Sequence, residues 1–122
     1  MIRIASKKDI QTMTASTVPL SQLAKTIRSK NAGVDKITFD IIFRERATFD
    51  AVRRSGALTR ESVAALYGIS DSRISDFVEF PPANAVKFTI YRERPSGSPG
   101  DPDIFGAQQY APLLSLPVAV PE

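Results

Sequence analysis

One stretch of this chain constrains its fold more than any other. In Lys36–Phe43 the residues Ile37, Phe39, Ile41 and Phe43 alternate with Thr38, Asp40 and Ile42. That period of two is the signature of a β-strand with one apolar face, and such a face must be buried against a second layer. A second alternating run, Ala85–Tyr91, sets Val86, Phe88 and Ile90 against Lys87, Thr89 and Tyr91. With Phe77–Phe80 also extended and Pro81-Pro82-Ala83-Asn84 between them, the spacing predicts an antiparallel hairpin.

Between these runs the period lengthens. Thr48 is placed to cap a helix holding Phe49 and Val52, with Gly56 as its stop, and Thr59 to cap a second whose Val63, Leu66 and Tyr67 share a face before Gly68. Leu20–Lys30 is ambiguous. Leu20, Leu23, Ala24 and Ile27 fit a helix face, but the turn chemistry of Asn31-Ala32-Gly33 favours a strand entering a hairpin. At 122 residues the chain is long enough for one core. Residues 1–19, rich in Ser, Thr and Lys, read as a loose leader and residues 20–94 as a compact α+β domain. Residues 95–122 hold six of the nine prolines and three of the six glycines, which reads as a long loop and tail docked through Phe105, Leu113, Leu114 and Leu116.

Composition narrows the chemistry. The chain has no Cys, His or Trp, which removes disulfides, thiolate nucleophiles, the Ser-His-Asp triad and His or Cys metal sites. Carboxylates, Lys, Tyr, hydroxyls and backbone groups remain. Residues 1–60 carry 12 Lys and Arg against 5 Asp and Glu, a net of +7, and residues 61–122 carry 4 against 8, a net of −4. A basic half attracts anionic ligands, or the two halves face one another in the fold. No segment approaches the roughly 18 apolar residues of a membrane span, and Met1–Thr17 lacks the apolar run of a secretory signal. A cytoplasmic protein with no membrane partner is the expectation.

Four segments are candidates for function. Thr59–Phe77 imitates a helix-turn-helix through Ala64, Gly68 and Ile74, but Asp71, Asp76 and Glu79 would repel phosphate. Nucleic-acid binding is therefore not expected. Ser96-Gly97-Ser98-Pro99-Gly100-Asp101-Pro102-Asp103 matches no phosphate loop. As a calcium loop it fails at Phe105 and Pro112, where oxygen ligands are needed; no metal and no cofactor is expected. Arg28-Ser29-Lys30-Asn31-Ala32-Gly33 offers a planar donor fork, a point charge and a glycine turn suited to a carboxylate or phosphate, or else forms a charged hairpin turn. Asp40, on the opposite strand face from the core residues, is a candidate acid–base group or an ordinary exposed residue.

Ile27–Gly33, Thr38–Phe43, Pro95–Asp101 and Phe105-Gly106-Ala107-Gln108-Gln109 together resemble the signatures of a small bacterial family of unknown function, over about residues 20–118. Members of that family accompany acyclic terpene utilisation proteins. A second resemblance, to the C-terminal ferredoxin-like domain of those larger proteins, rests on Arg28-Ser29, Gly33 and Asn84–Phe88. The implied architecture is α+β, a ferredoxin-like sandwich with a largely antiparallel sheet, helices on one face and a long C-terminal loop.

The resemblance implies an accessory subunit that pairs with a larger acyclic terpene utilisation-like protein to complete a site for a small anionic metabolite, a carboxylate or acyl-CoA type; a homo-oligomer is a separate expectation. Arg28, Ser29, Lys30, Asn31 and Gly33 would supply anion binding; Ser96, Gly97, Ser98, Gly100, Asp103, Gln108 and Gln109 would form a polar lid or contact surface. The alternative is a stand-alone lyase or isomerase with Asp40, Asp101 or Lys30 in acid–base roles; the second alternative, which the acidic residues disfavour, is a nucleic-acid-binding domain through residues 59–77.

Overall fold

A computed structural model of the chain describes residues 17–93, 97, 99 and 109–119. The element order is β1 (Thr17–Pro19), α1 (Leu20–Leu23), β2 (Ala24–Asn31), β3 (Lys36–Phe43), α2 (Arg46–Ser55), α3 (Arg60–Tyr67), β4 (Ile74–Phe80), β5 (Ala85–Tyr91), α4 (Ala111–Leu114) and β6 (Pro117–Ala119). Single turns of 3₁₀ helix, Asp71–Arg73 and Pro81–Ala83, precede β4 and β5.

Strands β2 to β5 form one antiparallel sheet in the order β2-β3-β5-β4. The two alternating runs, β3 and β5, are its central strands. Because β3 runs parallel to β4 with β5 between them, β3-α2-α3-β4 is a split crossover. This is the α+β sandwich expected from the sequence, and a ferredoxin-like description is compatible with it. On the inner face Ile37, Phe39, Ile41, Phe43, Val86, Phe88 and Ile90 meet Phe49 and Val52 of α2, Val63 and Ala64 of α3 and Leu113 of α4 in one core. Phe88 stacks on Phe39 at 4.6 Å between centroids and on Phe77 at 5.9 Å, the offset geometry that aromatic pairs favour.

Several local signals act as expected. Thr59 and Ser62 form a reciprocal capping box at the start of α3. Gly56 and Gly68 end α2 and α3 in the left-handed conformation, at φ 75° and 65°, where a side chain would be strained. Other expectations are corrected. The cap residue of α2 is Glu45 rather than Thr48, and no side chain bonds the helix start. What holds that start is tertiary: Arg46 donates to the Asn84 Oδ1 at 2.9 Å and to the Pro81 carbonyl at 2.8 Å. Leu20–Lys30 is divided, a single helical turn followed by a strand.

Parts of the segments expected to be leader and tail form regular structure. Strand β1 pairs with β6, Val18 opposite Val118, and the Leu20 amide donates to the Leu116 carbonyl at 2.8 Å. Leu113, Leu116 and Val118 are buried and Leu114 is exposed; Phe105 lies outside the described residues. Among the described residues no helix is long and apolar enough to cross a membrane.

Candidate functional site

Strand alternation divides the Arg28–Gly33 segment between the two faces of the sheet. Ser29 and Asn31 point to the helical side, where Ser29 is buried opposite Phe39 and Asn31 accepts a hydrogen bond from Arg92 Nη1 at 2.8 Å. Gly33 sits in the β2–β3 turn at φ 86°. Arg28 and Lys30 project from the opposite, open face. Register places three rows of side chains across that face from β2 to β4. They are Thr26, Ile42, Ala85, Phe80; Arg28, Asp40, Lys87, Val78; and Lys30, Thr38, Thr89, Asp76.

The middle row holds the best-defined polar cluster. Asp40 accepts from Arg28 Nε at 3.1 Å through one carboxylate oxygen and from Lys87 Nζ at 2.6 Å through the other. Its side chain is 7% exposed, against 60% for Arg28 and 50% for Lys87, so the two cations themselves shield it. Burial alone would raise the Asp40 pKa, but the hydrogen bonds and charges of Lys87 and Arg28 outweigh it and hold the group below the usual 3.8. Asp40 is therefore a fixed anion that orients two cations. Arg28 spends its Nε on this bond and stays mostly in solvent, leaving the rest of its donor fork for an incoming anion. Lys30, about 7 Å along the same strand, adds an exposed charge.

Apolar surface adjoins this charge. On β4, Val78 is 45% and Phe80 52% exposed. Tyr91, also on the open face, is exposed and carries Lys36 Nζ over its ring at 5.2 Å, within the range of a cation–π contact. Cations and large apolar side chains on one surface suit an amphiphilic anion.

Asp40 lies on the face that strand alternation predicts, but its pairing with Lys87 has no signal in the sequence. Cross-strand register alone reveals that pairing, and alternation in an isolated run does not carry it. Gln109 is placed elsewhere: its carbonyl accepts from the Tyr67 hydroxyl at 2.8 Å. Tyr67 belongs to α3 and packs on Phe39 at 5.6 Å between centroids, so that contact lies on the helical side of the sheet. The structure does not bring it together with Arg28. Burial pushes the Tyr67 hydroxyl above its ordinary pKa of 10.0, which makes it a structural donor to the C-terminal segment. Gly97 is described and takes φ 80°; Ser96, Ser98, Gly100, Asp101, Asp103 and Gln108 lie outside the described residues.

The helix-turn-helix imitation resolves as helix α3, a 3₁₀ turn and strand β4. No second helix stands where a recognition helix would begin. Among the described residues no three His, Cys, Asp or Glu side chains converge as a metal site. A family model described as a domain of unknown function, DUF4387, matches residues 20–117, close to the span that carries the resemblance in the sequence. No curated protein and no solved structure matches the chain.

Proposed function

We propose that this chain, which belongs to the DUF4387 family of domains of unknown function, is an accessory domain that lends a cationic face to a site for a small carboxylate or acyl-CoA-type metabolite, completed by a second polypeptide. The observation that carries the reading is the Arg28–Asp40–Lys87 row beside exposed Val78 and Phe80. A buried carboxylate there holds a guanidinium in place before any ligand arrives, which lowers the ordering cost of binding. The sequence resemblance makes a larger acyclic terpene utilisation-like protein the companion with which such a domain would work.

The stand-alone lyase or isomerase has less to support it. Asp40 is held ionised between two cations, and a carboxylate with a lowered pKa is a poor proton acceptor near neutral pH. Arg28 and Lys30 instead suit binding, as basic side chains on an exposed strand face.

The test is calorimetric titration of octanoate and of a medium-chain acyl-CoA into the wild-type chain and into an Arg28→Ala, Lys30→Ala variant. Saturable binding that the double substitution weakens at least tenfold supports the reading. Because Asp40 orders Arg28 before any partner arrives, the chain alone should bind weakly, and binding that is absent up to millimolar ligand, or indifferent to both substitutions, contradicts the reading.

A further inference from the structure

The open face is self-complementary in a way that selects its occupant. Three of the five exposed large apolar side chains among the described residues lie on it, Val78, Phe80 and Tyr91. Its charges are sorted across the strands, with Arg28 and Lys30 at the β2 edge and Asp76 at the β4 edge. A two-fold axis parallel to the strands and running between β3 and β5 would lay β2 of one copy over β4 of another. Lys30 then faces Asp76 of the second copy, Asp40 faces its Lys87, and Arg28 faces its Val78. An axis across the strands would instead set Arg28 on Arg28 and Lys87 on Lys87, like charge on like. The relative rotation of roughly 30° between packed sheets moves the corners by about one residue and leaves the central rows in place. Asp76 therefore meets the Arg28 and Lys30 pair as a group.

We propose that two copies of this chain pack face to face about that axis, and that the second copy supplies the apolar wall of the carboxylate site. The latter half rests on the function proposed above. Within one chain Arg28 and Val78 stand at opposite edges of the sheet, three strand spacings or about 14 Å apart. The dimer brings Val78 and Phe80 of the second copy over the β2 cations. That forms two equivalent clefts, each with a guanidinium on one wall and an apolar side chain on the other. Arg28, Lys30, Lys36 and Lys87 outnumber Asp40 and Asp76 on the face, so each copy brings a surplus of positive charge into the contact. Burying that surplus is costly unless an anion accompanies it, so an anionic ligand promotes the dimer. The face measures roughly 19 by 20 Å, about 760 Å² over both copies, which is below the size of a stable specific interface, so the dimer is a weak one that dissociates on dilution.

Sedimentation velocity over a concentration series up to about 1 mM, with and without octanoate, tests this. The expected wild-type result is a concentration-dependent shift from one to two chain masses, strengthened by octanoate. Val78→Lys with Phe80→Lys, both at exposed positions, abolishes the shift while circular dichroism stays unchanged. Asp76→Lys alone weakens association roughly 3- to 30-fold, and adding Lys30→Asp to it restores association. A chain that stays monomeric throughout overturns the proposal, the face then serving a different molecule or another segment of this chain. A dimer indifferent to the Val78 and Phe80 substitutions also overturns it. Octanoate binding by a strict monomer overturns the dimer and leaves the carboxylate reading standing; a dimer that binds no octanoate does the reverse.

Discussion

Asp40 shows how one side chain takes its role from neighbours that its own segment does not reveal. Alternation in β3 places it off the core face, and register then sets Arg28 on one side and Lys87 on the other. Replacing it with Asn keeps the shape and removes the charge, leaving two cations side by side. Both partners are at least half exposed, so solvent screening limits the expected loss of stability to about 1 kcal/mol. Because the folded pKa is depressed, the contribution is present above the unfolded value near 3.8 and is lost as pH falls through the lower folded value. Paired urea titrations of wild type and Asp40→Asn should show a gap at pH 6 that closes below pH 3.8. A gap that persists at lower pH would mean that the charge is not its source.

Elements whose boundaries depend on neighbouring residues were legible in the sequence, and those set by distant contacts were not. Helix α3 announces itself through Thr59 and Gly68, since cap and stop act within a few residues of the chain. Thr59→Ala should cost about 1 kcal/mol in chemical denaturation, and no loss would deny the capping box any energetic role. Helix α2 starts earlier than Thr48 suggests because Arg46 is anchored on the β4–β5 connection, a tertiary contact invisible to local pattern. Helix α1 is a single turn and has no period to read. Strands β3 and β5 were found because their alternation is long and strict. The start of β4 was missed because Asp71–Arg73 and Ile74 carry no alternation.

At the scale of the molecule, the two ends of the described chain close the core. Strands β1 and β6 are three residues each, too short for any sequence signal, yet their pairing joins the segment before the domain to the one after it. Leu113 is fully buried in the same cluster as Phe39 and Phe88, so Leu113→Ala should destabilise the whole domain by about 2–5 kcal/mol; a loss under about 1 kcal/mol would show the C-terminal segment to be peripheral. With the helices and this segment filling the inner face, the opposite face stays uncovered among the described residues. The oppositely charged halves meet in both senses, Arg53 with Glu79 at 3.0 Å and Asp40 with Lys87 at 2.6 Å, and the latter contact lies at the centre of that face. The most direct measurement is an NMR titration of the isotopically labelled chain with octanoate, following backbone amides and the Arg28 Nε–H. The account predicts shifts concentrated on Arg28, Lys30, Lys87, Val78 and Phe80. Shifts confined to the helical side around Tyr67 and Gln109, or none at millimolar ligand, would contradict it.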